Sequence, residues 1–112
     1  MKPYQVELIR HVWANADEGV ISRTAHEYLH TLADETLHKS RASVIFFLRD
    51  MTNEGFLVDK EKPGQGGYHS VWTPSPDFPC EEAYMREMAM RMVKSAEAIL
   101  NVTFMVKQAR VA

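Results

Sequence analysis

The run His26-Glu27-Tyr28-Leu29-His30 has the most chemically specific spacing in the chain. On a helix it sets two imidazoles one turn apart on one face, with a carboxylate beside them. That is the ligand pattern of zinc peptidases, in which the glutamate acts as general base. No third ligand stands at a familiar downstream spacing, so His38, Glu54, Glu81 or Glu82 would have to complete the site in space. The expected reading is a solvated helix face, with His26, Glu27 and His30 turned away from a core formed by Ala25, Leu29 and Leu32. The expectation is therefore no metal and no cofactor, with a small zinc metallopeptidase as the enzymatic alternative. Cys80 cannot form an internal disulfide and reads as an unused thiol in a reducing compartment.

Those residues sit on elements that hydrophobic spacing marks out. Tyr4 to Ala14 reads as a helix, with Val6, Leu8, Ile9, Val12 and Trp13 on its apolar side. Ser22 is placed to cap a second helix with the stripe Ala25, Tyr28, Leu29 and Leu32. Ser40 is placed to cap a third, which runs to about Asn53 with the stripe Val44, Phe47, Leu48 and Met51. Gly55 stops it. The period then changes. Residues 56–60 and 68–73 are rich in aromatic and β-branched side chains and read as strands. The segment 61–67 between them has three Gly and one Pro and reads as a mobile hairpin tip. Pro74, Pro76 and Pro79 stiffen a connector. From Glu81 to about Gln108 nothing breaks a helix.

Three helices, a hairpin and a long helix is the element order of a winged helix-turn-helix with an appended helix. The fold class expected is mainly α with a β-hairpin. Residues 1–75 would form the winged-helix domain and 80–110 a C-terminal dimerisation helix. The 112 residues leave no room for a multidomain architecture. The longest apolar run, Val44 to Leu48, is far too short to span a bilayer, so no membrane is expected and the cytoplasm is. Net charge is −2, yet it is unevenly spread. Residues 36–70 carry five basic and four acidic side chains, and are the mildly positive part.

The chain resembles the penicillinase-repressor family of winged-helix regulators (BlaI/MecI/CopY type). The resemblance rests on Val6-Glu-Leu-Ile-Arg-His-Val-Trp13, Ala25-x-x-x-Leu29 and Ser40-x-x-x-Val44. It continues through Leu48-x-x-Met51-x-x-x-Gly55-Phe-Leu57 and Val71-Trp-Thr-Pro74. It covers roughly residues 5–75, and the order of these pieces carries it. The long Met-rich helix departs from it, because such repressors break this region into shorter helices. The resemblance implies a sequence-specific, dimeric repressor of transcription that reads palindromic double-stranded operator DNA.

In a winged helix the third helix lies in the major groove, with one apolar side docked and one polar side free for base edges. Lys39, Ser40, Arg41 and Ser43 are the candidates there, with Arg41 the guanine reader. Ile45 and Phe46 lie outside the tightest stripe. Burial is expected for both, with contact to a thymine methyl group as the alternative. Lys60, Lys62 and His69 mark the wing, where lysines on a Gly-rich tip suit phosphate. Asp50, Glu54, Asp59 and Glu61 offset these positives. On the long helix, Met85, Met88, Met92, Ala96, Ile99, Thr103 and Val106 recur close to a heptad seam. Pairing with a second copy would bury that seam, which makes a homodimer the expectation. A winged-helix interaction module that does not bind DNA is the non-enzymatic alternative.

Overall fold

The computed structural model describes the backbone of residues 1–111, and the side chains of all of these except 103, 104 and 106–111. Two compact units follow each other, Met1–Glu81 and Glu82–Ala112. The elements are α1 (Pro3–Ala14), α2 (Ser22–Thr31), α3 (Arg41–Asn53), β1 (Leu57–Asp59), β2 (Lys62–Gly64), β3 (Gly67–His69), β4 (Trp72–Pro74) and α4 (Glu81–Val111). This is a mainly α fold with a β-hairpin and a long C-terminal helix.

Each boundary has a local cause. Pro3 opens α1, where its missing N–H costs nothing and its fixed φ suits a helix. Ser40 caps α3 by accepting the Ser43 amide at 3.2 Å. Gly55, at φ +87°, supplies the left-handed residue that ends α3. Ser22 differs from expectation. It is the first residue of α2, and the extended Ile21 takes the cap position without a side-chain bond. Thr24 Oγ1 donates instead to the Ile21 carbonyl at 3.1 Å. Between α2 and α3 the polar stretch winds one 3₁₀ turn, Glu35–Leu37, seeded by Asp34 accepting the Thr36 amide at 3.0 Å. The Thr36 hydroxyl, which donates to the same carboxylate oxygen at 2.6 Å, and then that amide bond hold the Asp34 carboxyl below its ordinary pKa.

The first unit is built around the buried stripes. Leu8, Ile9 and Val12 of α1, Ala25 and Leu29 of α2, and Val44, Leu48 and Met51 of α3 converge with Phe56, Leu57, Val71 and Trp72. Each large side chain taken from water contributes about 1.5–3 kcal/mol, which together holds the three helices against the base of the hairpin. β1 pairs antiparallel with β4, in the register Leu57 to Pro74 and Asp59 to Trp72. Val20 adds a third, single-residue rung. Its N–H and C=O both bond Trp72, each at 2.8 Å. Gly19 permits this approach, because at φ +81° a Cβ there would lie 2.5 Å from Val71 Cγ1.

The wing is more ordered than its composition suggests. Residues 62–64 and 67–69 form a second antiparallel pair, Lys62 opposite His69 and Gly64 opposite Gly67. The free tip shrinks to Gln65-Gly66. Two pieces of one hairpin, linked by the bond from Lys60 N–H to the Val71 carbonyl at 2.8 Å, thus replace one pair of strands with a seven-residue loop.

α1 and α2 are also joined by a polar contact. His11 stacks on Tyr28 with ring centroids 4.3 Å apart, and the Tyr28 hydroxyl donates to Glu7 Oε2 at 3.1 Å. Burial lowers the His11 pKa, and burial followed by the Glu7 bond raises that of Tyr28. The sign for His11 is definite. Between its lowered value and the ordinary imidazole value of about 6.5, the unfolded chain binds a proton that the folded chain refuses. His11 therefore leaves stability intact above that range and reduces it as pH falls through it. Urea unfolding between pH 5 and pH 8 should show stability declining on acidification, and His11→Gln should flatten the decline. An identical pH profile in the variant would contradict this assignment.

Candidate nucleic-acid interface

α2, the 3₁₀ turn and α3 form the helix-turn-helix, and β2–β3 the wing beside it. Between the exposed side of α3 and the wing lies a cleft of about 630 Å³. Ile21, Ser22 and Arg23 at the start of α2 form one wall, and Arg41, Ile45 and Arg49 along α3 another. Gln65, Tyr68, His69, Ser70 and Trp72 complete it from the hairpin. Three guanidinium groups line this concavity and no carboxylate does. Among the described residues, none of the three arginines pairs with an acidic side chain. A cleft lined by one sign of charge concentrates its field and draws counter-charge into it.

The predicted contact residues separate on this surface. Arg41 and His69 line the cleft. Arg41, expected as the guanine reader, is exposed and leans along the cleft wall. Its guanidinium donates to Ser22 Oγ through Nε at 3.2 Å and a terminal nitrogen at 3.0 Å. The cause is rotational position. At ~100° per residue Arg41 lies only about 70° from the buried side of α3, which turns it towards α2. The Ser40 and Ser43 hydroxyls bond each other at 3.1 Å at the head of α3. Lys39 turns the other way, its ammonium 5.6 Å from the centroid of the Tyr4 ring. Lys60 and Lys62 are exposed on the wing. His69 lies across from Lys62 and so close over Gly64 that a Cβ there would collide with its imidazole.

Sequence reasoning missed Arg23, Arg49 and Tyr68. Arg49 was detectable, because it recurs on one face with Arg41 and Ile45 at intervals of four. Arg23 and Tyr68 join the cleft only through long-range packing. Phe46 corrects another expectation. It is 64% exposed rather than buried, whereas Ile45 is half-buried against the cleft. The buried side of α3 consists of Val44, Phe47, Leu48 and Met51. Ala42, Phe46, Arg49 and Asn53 fall within about 30° of the line opposite it, so they form the outermost ridge of the helix. All four are exposed.

The histidine run packs ring on ring against the turn that follows α2. The His26 and His30 rings lie 4.4 Å apart, and His38 stacks on His30 at 4.7 Å. His30 Nε2 donates to the Lys39 carbonyl at 3.2 Å and His38 Nε2 to the Leu32 carbonyl at 2.8 Å. Each of these rings donates through Nε2 and keeps Nδ1 as its acceptor. Among the described residues, no group of three His, Cys, Asp or Glu is placed to hold a metal ion. These bonds instead stitch the turn between α2 and α3.

A solved structure similar to this chain is that of MepR, described as a transcription regulator of the Staphylococcus aureus multidrug efflux pump MepA. The match has a TM-score of 0.51 and covers 96% of this chain and 79% of that one, at 11% sequence identity. The likeness is one of fold, a winged helix. No family model matches the chain, the penicillinase repressors included. No curated protein matches it either. Among the described residues, no helix is long and apolar enough to cross a membrane.

Proposed function

We propose that this chain is a DNA-binding transcription regulator that acts as a homodimeric repressor. The arginine-lined, carboxylate-free cleft between α3 and the wing is the observation that carries the reading. A helix in the major groove and a wing over the adjacent minor groove must straddle the intervening ridge of phosphates. Arg23, Arg41 and Arg49 line the space where that ridge would lie, with Lys60 and Lys62 beyond them on the wing. The outer ridge of α3 then meets base edges. The dimer, the palindromic operator and the repressing role come from the penicillinase-repressor resemblance, and the exposed apolar surface of α4 supports the first of these. The expected place of action is the cytoplasm, where the operator is.

Binding to a random duplex, followed by fluorescence anisotropy, tests the reading. With three to five phosphate contacts per protomer, affinity should fall about 10³- to 10⁵-fold between 50 and 200 mM salt for a dimer. No duplex binding at 50 mM salt, or binding indifferent to salt, would replace this reading with that of a protein-interaction module.

A further inference from the structure

Phe46 is the one described phenylalanine left exposed, at 64%, while Phe47 beside it is 8% exposed and Phe56 fully buried. It stands in the middle of α3, on the ridge directly opposite the core. Exposed Ala42 precedes it by one turn on the same ridge. A phenylalanine at the outermost point of a helix offers apolar area that gains free energy when a partner covers it. Its surroundings select the cover. The adjoining cleft, lined by Arg23, Arg41 and Arg49, attracts a polyanion, so whatever meets Phe46 arrives with a phosphate backbone beside it.

Of all the groups that line the major groove, the thymine C5-methyl is the apolar one. Resting on the DNA-binding role proposed above, we infer that Ala42 and Phe46 form an apolar reader that selects thymine by contact with its methyl group. The two residues lie about 6 Å apart along the helix axis, which matches roughly two base-pair steps. Each half-site therefore carries a thymine at one or both of two positions about two steps apart.

Deoxyuridine, which differs from thymidine in lacking that methyl, tests the proposal directly. High-affinity duplexes are selected from a randomised pool with the full native chain, then remade with deoxyuridine for each thymidine in turn. Native protein should lose about fourfold in affinity for each contacted methyl removed. Phe46→Ala should bind the thymidine duplex at least that much more weakly and lose its sensitivity to deoxyuridine, because the two changes delete one contact. Phe46→Leu, still apolar, should keep the sensitivity. Since Phe46 packs against no core, both variants should melt like the native chain. Equal binding of thymidine and deoxyuridine duplexes by the native chain overturns the inference while leaving the DNA-binding role standing. So does a Phe46→Ala variant that remains sensitive to deoxyuridine, or one that loses affinity where the native chain ignores the methyl, the mark of a wedge between bases. Failure of the native chain to bind any duplex overturns both.

Discussion

Replacing Arg49 by alanine should cost ~1–3 kcal/mol of specific duplex affinity and relax preference at one base position in each half-site. Arg49 lies on the outermost ridge of α3 as well as on the wall of the cleft, so its fork can reach a guanine edge. Arg41 is expected to behave differently, although it belongs to the same helix and carries the same charge. Its guanidinium is held by Ser22 Oγ and turned towards α2. Arg41→Ala should therefore weaken all sequences alike and lower the salt slope by about one unit per protomer, as should Lys62→Ala on the wing. Anisotropy titrations on a selected site and a scrambled one, at several salt concentrations, separate the two behaviours. If Arg41→Ala relaxed base preference and Arg49→Ala did not, the assignment of roles along α3 would be reversed.

Sequence reasoning reached the helices and stopped short of the cleft. Apolar spacing located α1, α2 and α3, because one buried stripe per helix leaves a clear 3.6-residue period. Ser40 and Gly55 marked both ends of α3, since a hydroxyl cap and a left-handed glycine act within a few residues of chain. The wing's second strand pair was hidden by composition. Pro63 and Gly64 argue locally against a strand, and only pairing with residues 67–69 makes them one. Val20 was hidden for the same reason, as a single rung has no period. The cleft depends on bringing residues 21–23 beside residues 65–72, which no local rule specifies. Phe46 was read as buried because aromatic side chains usually are. Its angle on α3, counted from Val44, Phe47, Leu48 and Met51, already pointed the other way. The Thr103 and Val106 parts of the seam lie outside the residues whose side chains are described.

Substituting Met92 by lysine should convert the protein from a dimer of about twice 12.9 kDa to a monomer in light scattering. α4 spans 31 residues, Glu81–Val111, about 46 Å at ~1.5 Å per residue. Met85 and Met88 are half-buried. From position 89 to 102 every residue is exposed, and Met92, Ile99, Leu100 and Val102 are each more than 60% so. Met92 and Ala96 fall on the same line of the helix as Met85, Met88 and Ile99, while Met90, Val93 and Leu100 extend the apolar surface around it. A helix that is apolar beyond a single stripe belongs inside an assembly, not in water. A second copy offers the same surface about a two-fold axis, so each Met92 would meet the partner's seam near its centre. Lysine there must either drag a charge into that seam or part the helices to hydrate it, and an unpaired buried ammonium is far costlier than the packing it displaces. The winged helix of residues 1–81 has its own core, so the variant should keep its helical content while losing mass and the tight binding that two half-sites confer. A native chain that is already monomeric at micromolar concentration, or a Met92→Lys variant that stays dimeric, would remove α4 from the interface. The palindromic operator would then lose its structural basis, whereas the arginine cleft and the α3 ridge would keep theirs.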